Sequence, residues 1–219
     1  MSAPAVIFDL DGTLIDSAPA IHAVSNAVLT GFGFAPMTLR QVRSFVGKGV
    51  PNLVRELLAA SGEDPSGPLF GPVERALVAR YETEVEGNTP YPGVPQALAR
   101  LAGAGCRLAV CTNKPLRPAE AALRHVGLLD LFEHVVGGDS LPTRKPDPAM
   151  LHHSLDRLGG GPMIYVGDSE IDAETARNAA APFVLYTEGY RKTPVADMPH
   201  RVAYSDFAML PGINETFVW

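Results

Sequence analysis

Residues 5–17 read AVIFDLDGTLIDS, and the way this stretch changes character decides the fold. Ala5 to Phe8 is a short apolar run of the kind that becomes a strand buried on both faces. Asp9 and Asp11 then set two carboxylates one residue apart where the run stops, with Gly12 and Thr13 following. Asp and Gly are ordinary turn residues, so DLDG alone also suits an acidic turn. A calcium loop fits poorly, because Gly12 directly follows the second Asp and the later ligand spacing is missing. A third reading is catalytic: carboxylates gathered at a strand edge around Mg²⁺, with one left free to attack.

Four more runs share the character of the first: CRLAVCT (106–112), HVVGG (134–138), MIYVGD (163–168) and PFVLYT (182–187). Each is short, rich in Val, Ile, Leu or aromatics, and bounded by Gly, Pro or polar residues. Helical patterns lie between them. VPQALARLAGAG has helical apolar spacing and ends in glycines, and RPAEAALRHVG carries Pro118 near its start and closes on Gly127. DPAMLHHSLDRLGG predicts a helix with Asp147 as N-cap and Pro148 at the first helical position. SEIDAETARNAA has acids in its first turn and Arg177 near its end, which suits the helix dipole. Strands alternating with helices predict the α/β class, a mostly parallel sheet with helices on both faces.

Residues 18–86 differ. PAIHAVSNAVLTGFG, TLRQVRSFVG, VPNLVRELLAA and PVERALVARYETEV all read as amphipathic helices, with no strand among them. The expected organisation is a helical domain, 17–87, inserted into a core made of 1–16 and 88–219. Its exits, LIDSAP and EGNTPYPGVP, are turn-rich hinges. LGGGP (158–162) is a loop that lacks the Lys-Ser/Thr ending of a P-loop.

Composition narrows the function. The chain has 219 residues, 46% of them hydrophobic, enough for one sizeable core and a smaller second one. A net charge of -6 argues against binding nucleic acid or an anionic membrane by bulk charge, and no basic-aromatic array is present. Cys106 and Cys111 would stand roughly 16 Å apart on one strand, which excludes a disulfide between them. No run approaches the roughly 20 apolar residues of a membrane helix. The residues before the motif lack a basic n-region, so no signal peptide is expected. A cytoplasmic protein, monomeric or homodimeric, is expected, and an anionic small substrate stays open because a local site can oppose the net charge.

In a parallel α/β sheet, ligands bind beyond the carboxyl ends of the strands. Asp9, Asp11, Gly12 and Thr13 follow the first strand, Thr112 and Asn113 the second, Lys145 lies past the third within GGDSLPTRKPDP, and Asp168 and Asp172 follow the fourth. On a helix, residues 168 and 172 would share one face. His22, His125, His134, His152 and His153 show no metal-ligand spacing.

In this order the motifs resemble the haloacid dehalogenase-like superfamily, in its phosphatase branch. Asp9-x-Asp11-Gly12-Thr13 resembles its first motif, Thr112-Asn113 its second, Lys145-Pro its third and Gly167-Asp168-x-x-x-Asp172 its fourth. The resemblance covers nearly the whole chain. It implies a Rossmann-like core with an α-helical cap of the first type inserted after strand one. It implies a small phosphorylated metabolite as substrate, Asp9 as nucleophile, forming an aspartyl-phosphate, and Asp11 as general acid and base. It implies Mg²⁺ held by Asp9, Asp168 and the backbone carbonyl of Asp11, with Asp172 as a further ligand or an orienter. Lys145 would hold phosphate charge and Asp9, and Thr112 would donate its hydroxyl to phosphate. Leu10 and Asn113 would offer backbone N–H groups, and Gly12 close backbone approach. FDLDGTLIDSAP, the VGKG loop and GGDSLPTRKPDP resemble bacterial phosphoglycolate phosphatases in particular, with Lys48 or Arg43 meeting the substrate carboxylate. A β-phosphoglucomutase-like mutase and a non-catalytic phosphate-binding module are the alternatives. Phosphonoacetaldehyde hydrolases and dehalogenases lack an acid at the place of Asp11.

Overall fold

The computed structural model describes residues 4–217, so the outermost ends of the expected core segments lie outside the described residues. Strand β1 (Ala5–Phe8) turns tightly into β2 (Ile15–Asp16). Four helices follow, α1 (Ala18–Gly31), α2 (Leu39–Arg43), α3 (Val50–Ala60) and α4 (Phe70–Tyr81), before β3 (Thr89–Pro90) returns to pair antiparallel with β2. The chain then alternates: α5 (Val94–Gly103), β4 (Arg107–Cys111), α6 (Leu116–His125), β5 (His134–Val136), α7 (Ala149–Arg157), β6 (Met163–Gly167), α8 (Glu170–Asn178), β7 (Phe183–Tyr186), β8 (Val202–Tyr204) and α9 (Leu210–Glu215). Six strands form one parallel sheet in the order β5-β4-β1-β6-β7-β8.

Side chains on a strand alternate between faces, and β1 shows why its sequence is apolar throughout. Val6 and Phe8 enter a core shared with α5, α6 and α9, while Ala5 and Ile7 enter a second core shared with α7 and α8. Helices thus cover both faces, as the strand–helix alternation predicts. Cys106 belongs to one core and Cys111 to the other, and both are free thiols.

The helices α1–α4 have a core of their own, built from residues between Ile21 and Tyr81 and centred on the fully buried Val54, Leu57, Leu58, Val73 and Leu77. Each such side chain contributes about 1.5–3 kcal/mol relative to leaving it exposed. His22, within this bundle, bonds the Met37 carbonyl through Nε2 at 2.9 Å. Among the described residues, no helix is long and apolar enough to cross a membrane.

Three expectations change in detail. Helix α7 starts at Ala149 with Pro148 at the N-cap, although the Asp147 carboxylate still accepts the Ala149 N–H at 2.9 Å. Asp168 precedes α8, whose N-cap is Ser169, so Asp168 and Asp172 do not share a helix face. The sheet also gains β8, whose three residues are too short for a periodic signal.

Candidate active site

Sheet register explains why distant motifs meet. Phe8 pairs with Val110 on one side and Val166 on the other. Asp9 therefore stands level with Cys111 and Gly167, with Thr112 and Asp168 one residue further along their strands. Asp9 is buried, and one of its oxygens, Oδ1, accepts from Lys145 Nζ at 2.8 Å. The same ammonium bonds Asp172 Oδ1 at 2.7 Å and the Tyr165 hydroxyl at 2.8 Å, so its three donors are matched by three acceptors. Burial lowers the Lys145 pKa, but the Asp172 and Asp9 carboxylates more than reverse that and raise it overall. Asp9 is pushed up to about 7, by burial first and by the Asp172 charge second, against the pull of Lys145.

Asp168 accepts from the Thr13 hydroxyl at 2.9 Å and from the Tyr190 N–H at 2.5 Å. Its carboxyl is held well above the usual range by burial and by the charges of Asp172 and Asp9. Gly12 has φ +89°, and a Cβ there would lie 2.6 Å from Asp168 Oδ2 and 2.8 Å from the Tyr190 ring. Only glycine satisfies both the conformation and the close approach. Asp172 is saturated: Lys145 and the Tyr165 hydroxyl share Oδ1, while Oδ2 accepts from Ser169 Oγ at 2.6 Å and from two backbone N–H groups.

Asp9, Asp168 and Asp172 offer oxygens within 4.8 Å of one another. Three buried carboxylates with a single lysine among them, two of them with raised pKa values, fit a hard divalent cation that takes oxygen ligands. Asp9 and Asp168 keep lone pairs for it, whereas Asp172 is occupied in orienting Lys145 and the strand end. The Asp11 side chain stands outside this cluster.

Asp11 instead pairs with Lys114, whose Nζ lies 3.1 and 3.4 Å from its two oxygens. Both side chains line a small cleft of about 40 Å³ that also touches Asp9 and Thr112 and is walled by the bundle. Thr112 Oγ1 accepts the Lys114 N–H at 3.2 Å, which leaves the hydroxyl proton for a ligand. The Asn113 side chain brackets the Lys145 backbone and donates to the Gly47 carbonyl of the VGKG loop at 3.2 Å. Leu10 is wholly buried, and its carbonyl closes the turn by accepting the N–H groups of Thr13, Leu14 and Ile15.

Lys48 and Arg43, the two cations of the helical segment expected to meet the substrate carboxylate, do not line this cleft. Lys48 is exposed and lines a neighbouring cleft with Asp11, Asp168 and Tyr190. Arg43 donates to the Gly189 carbonyl at 2.8 Å and stacks 4.8 Å from the centre of the Tyr190 ring.

The haloacid dehalogenase-like hydrolase model matches residues 3–180. The chain belongs to the haloacid dehalogenase-like hydrolases. It is 61% identical to a phosphoglycolate phosphatase of Rhodobacter capsulatus over 99% of both chains. It is 46% identical to another from Cereibacter sphaeroides, over 96% of this chain and 97% of that one. A crystal structure described as a predicted phosphoglycolate phosphatase from Haemophilus somnus superposes with a TM-score of 0.90 at 28% identity, covering 98% of this chain and 99% of that one. The chain is thus a hydrolase of the phosphatase type.

Three residues of this haloacid dehalogenase-like hydrolase escaped the sequence reading: Lys114, Tyr165 and Tyr190. Lys114 carried a usable signal, a cation directly after the polar pair Thr112-Asn113 at a strand end. Tyr165 reads as apolar filler within a strand, and Tyr190 lies in a turn with no pattern around it.

Proposed function

We propose that this hydrolase cleaves a small phosphomonoester, phosphoglycolate foremost, by two displacements at Asp9. The observation that carries the reading is the asymmetry of that carboxylate. Lys145 fixes Oδ1, while Oδ2 accepts no hydrogen bond among the described residues and Asp9 borders the cleft.

In the first displacement an Asp9 oxygen attacks phosphorus, the bond to the ester oxygen breaks, and Asp11 gives that oxygen a proton. In the second, a water attacks phosphorus while Asp11 takes its proton, and the bond to Asp9 breaks to release phosphate. Proton management of this kind is worth about 10²- to 10⁴-fold. Lys145 and the Thr112 hydroxyl would hold charge on the transferring group, and backbone N–H groups of Leu10 and Asn113 would add to it. Asp9 and Asp168, with the Asp11 carbonyl, would hold Mg²⁺, and Asp172 would orient them. When bound, the ion neutralises charge shared between the carboxylates and the phosphate.

Residues 17–87 serve in this reading as a cap that closes the cleft against water. Ile21, Phe45, Val50 and Leu53 supply an apolar wall, which suits a short leaving group. A sugar phosphate would need partners for its hydroxyls there, which speaks against the mutase. The reading sets the protein in the cytoplasm, where its two free thiols, Cys106 and Cys111, stay reduced.

The test is phosphate release with Mg²⁺ across phosphoglycolate, sugar phosphates, nucleotides, pyrophosphate and an aryl phosphate, repeated in excess chelator. The highest kcat/KM is expected for phosphoglycolate, with loss of turnover on chelation. Undiminished turnover in chelator would remove the metal, and preference for another ester would remove phosphoglycolate.

A further inference from the structure

We propose that Lys114, carried by the sheet core, recognises the carboxylate of the leaving group, in place of the cap residues Lys48 and Arg43. The inference rests on the phosphoglycolate reading above and makes it specific.

The argument begins with the substrate's size. In phosphoglycolate a single methylene separates the ester oxygen from the carboxylate. The group that protonates the ester oxygen and the group that meets the carboxylate must therefore be neighbours. Asp11 is the first of these, and Lys114 Nζ lies 3.1 Å from its nearer oxygen. Lys114 is the one cation among the described residues that line the cleft with Asp9, Asp11 and Thr112. Without it, the incoming carboxylate would be buried against an apolar wall with no counter-charge among the lining residues.

Lys114 is also held for the purpose. Its carbonyl accepts the Gly138 N–H at 2.8 Å, and its own N–H is bound to Thr112 Oγ1. A Cβ on Gly138 would stand 2.3 Å from the Asn113 carbonyl oxygen, so the glycine lets the two loops press together and fix the lysine backbone. The ammonium is buried and lies 5.2 Å from the centre of the Tyr81 ring, a residue of α4, so the bundle covers it. An ammonium has three donors, and binding Asp11 leaves capacity for a second carboxylate. The space also fits: about 40 Å³ against roughly 10–15 Å³ for one water on the same measure suits a two-carbon fragment. Neither rival matches. Lys48 is exposed beside the Asp168 cleft, and the Arg43 guanidinium is engaged by Gly189 and Tyr190.

The experiment compares phosphoglycolate with ethyl phosphate, which has a methyl group where the carboxylate stands. Wild-type protein, Lys114→Met, Lys114→Arg and Lys48→Met are assayed with Mg²⁺, and the readout is the ratio of the two kcat/KM values. Lys114→Met slows both esters because Asp11 loses its partner, so only the ratio reports on the carboxylate. That ratio is expected to fall about tenfold or more in Lys114→Met, mainly through the KM of phosphoglycolate. It should recover in part in Lys114→Arg, which restores a charge, and stay within about twofold in Lys48→Met. An unchanged ratio in Lys114→Met, with both esters slowed alike, would show that the lysine serves Asp11 only and overturn the proposal. A ratio lost in Lys48→Met instead would return recognition to the cap. Should Lys114→Met not fold, Lys114→Arg carries the test: a ratio lowered with the ethyl phosphate rate kept supports the proposal, and an unaltered ratio opposes it. Wild-type protein that releases phosphate from both esters equally would defeat the phosphoglycolate reading itself.

Discussion

At the carboxyl edge of the sheet, buried polar groups are tied into a network: Lys145 meets Asp9, Asp172 and Tyr165, and Asp172 meets Ser169 in turn. In the helical bundle, the interior is mainly hydrocarbon from Val54, Leu57, Leu58, Val73 and Leu77. The two regions solve different problems. A network of charges in a medium of low dielectric tolerates little displacement, and a parallel sheet buried on both faces supplies the needed rigidity. An apolar bundle needs only shape and volume, so it can be repacked without disturbing the chemistry. The cleft lies where the two meet, with Asp9, Asp11, Thr112 and Lys114 from one side and an apolar wall from the other.

The strongest way to break this division is at Asp9. Asp9→Asn is expected to lower turnover by roughly 10³-fold or more. It also removes one of two like charges that face Lys145, so the melting temperature should hold or rise. Phosphate release and a circular dichroism melt check both halves, and retained turnover would displace Asp9 as nucleophile. Lys145→Met tests the network itself. It leaves Asp9 and Asp172 buried without their counter-charge, at an expected cost of about 3–5 kcal/mol in urea unfolding. Adding Asp172→Asn to that variant should recover part of the loss. A cost below about 1 kcal/mol would rank the network with surface ion pairs. Leu57→Ala probes the other region, where a cavity should cost about 2–5 kcal/mol. Hydrogen exchange should quicken across α1–α4 and leave the sheet amides protected. Equal quickening in both would make the molecule one cooperative unit.

Much of this is legible in the sequence. Short apolar runs that end in Asp9, Thr112 and Asp168 mark strand ends, and the sheet register brings them together as a parallel topology requires. The helical stretch was legible from its periodicity. What stayed hidden depends on distance in space. Nothing around Tyr165 tells a packing tyrosine from one whose hydroxyl bonds Lys145 and Asp172. Lys48 drew attention because two glycines flank it, a feature of the loop and not of the cleft. Lys114 is marked locally by its place after Thr112-Asn113, but its pairing with Asp11, 103 residues away, is visible only in space.

Tyr190 gives the arrangement a mechanical side. Its hydroxyl donates to Asp16 at 2.6 Å and accepts the N–H groups of Ser17 and Ala18, where the chain leaves β2 for α1. Its backbone N–H holds Asp168. Arg43, from the bundle, rests on its ring. One residue thus ties together the β2–α1 joint, the helical bundle and the acid cluster, like a linchpin set through all three. If residues 17–87 act as the cap proposed above, a swing about the β2–β3 ladder would strain these bonds and, through the Tyr190 N–H, the Asp168 carboxylate with them.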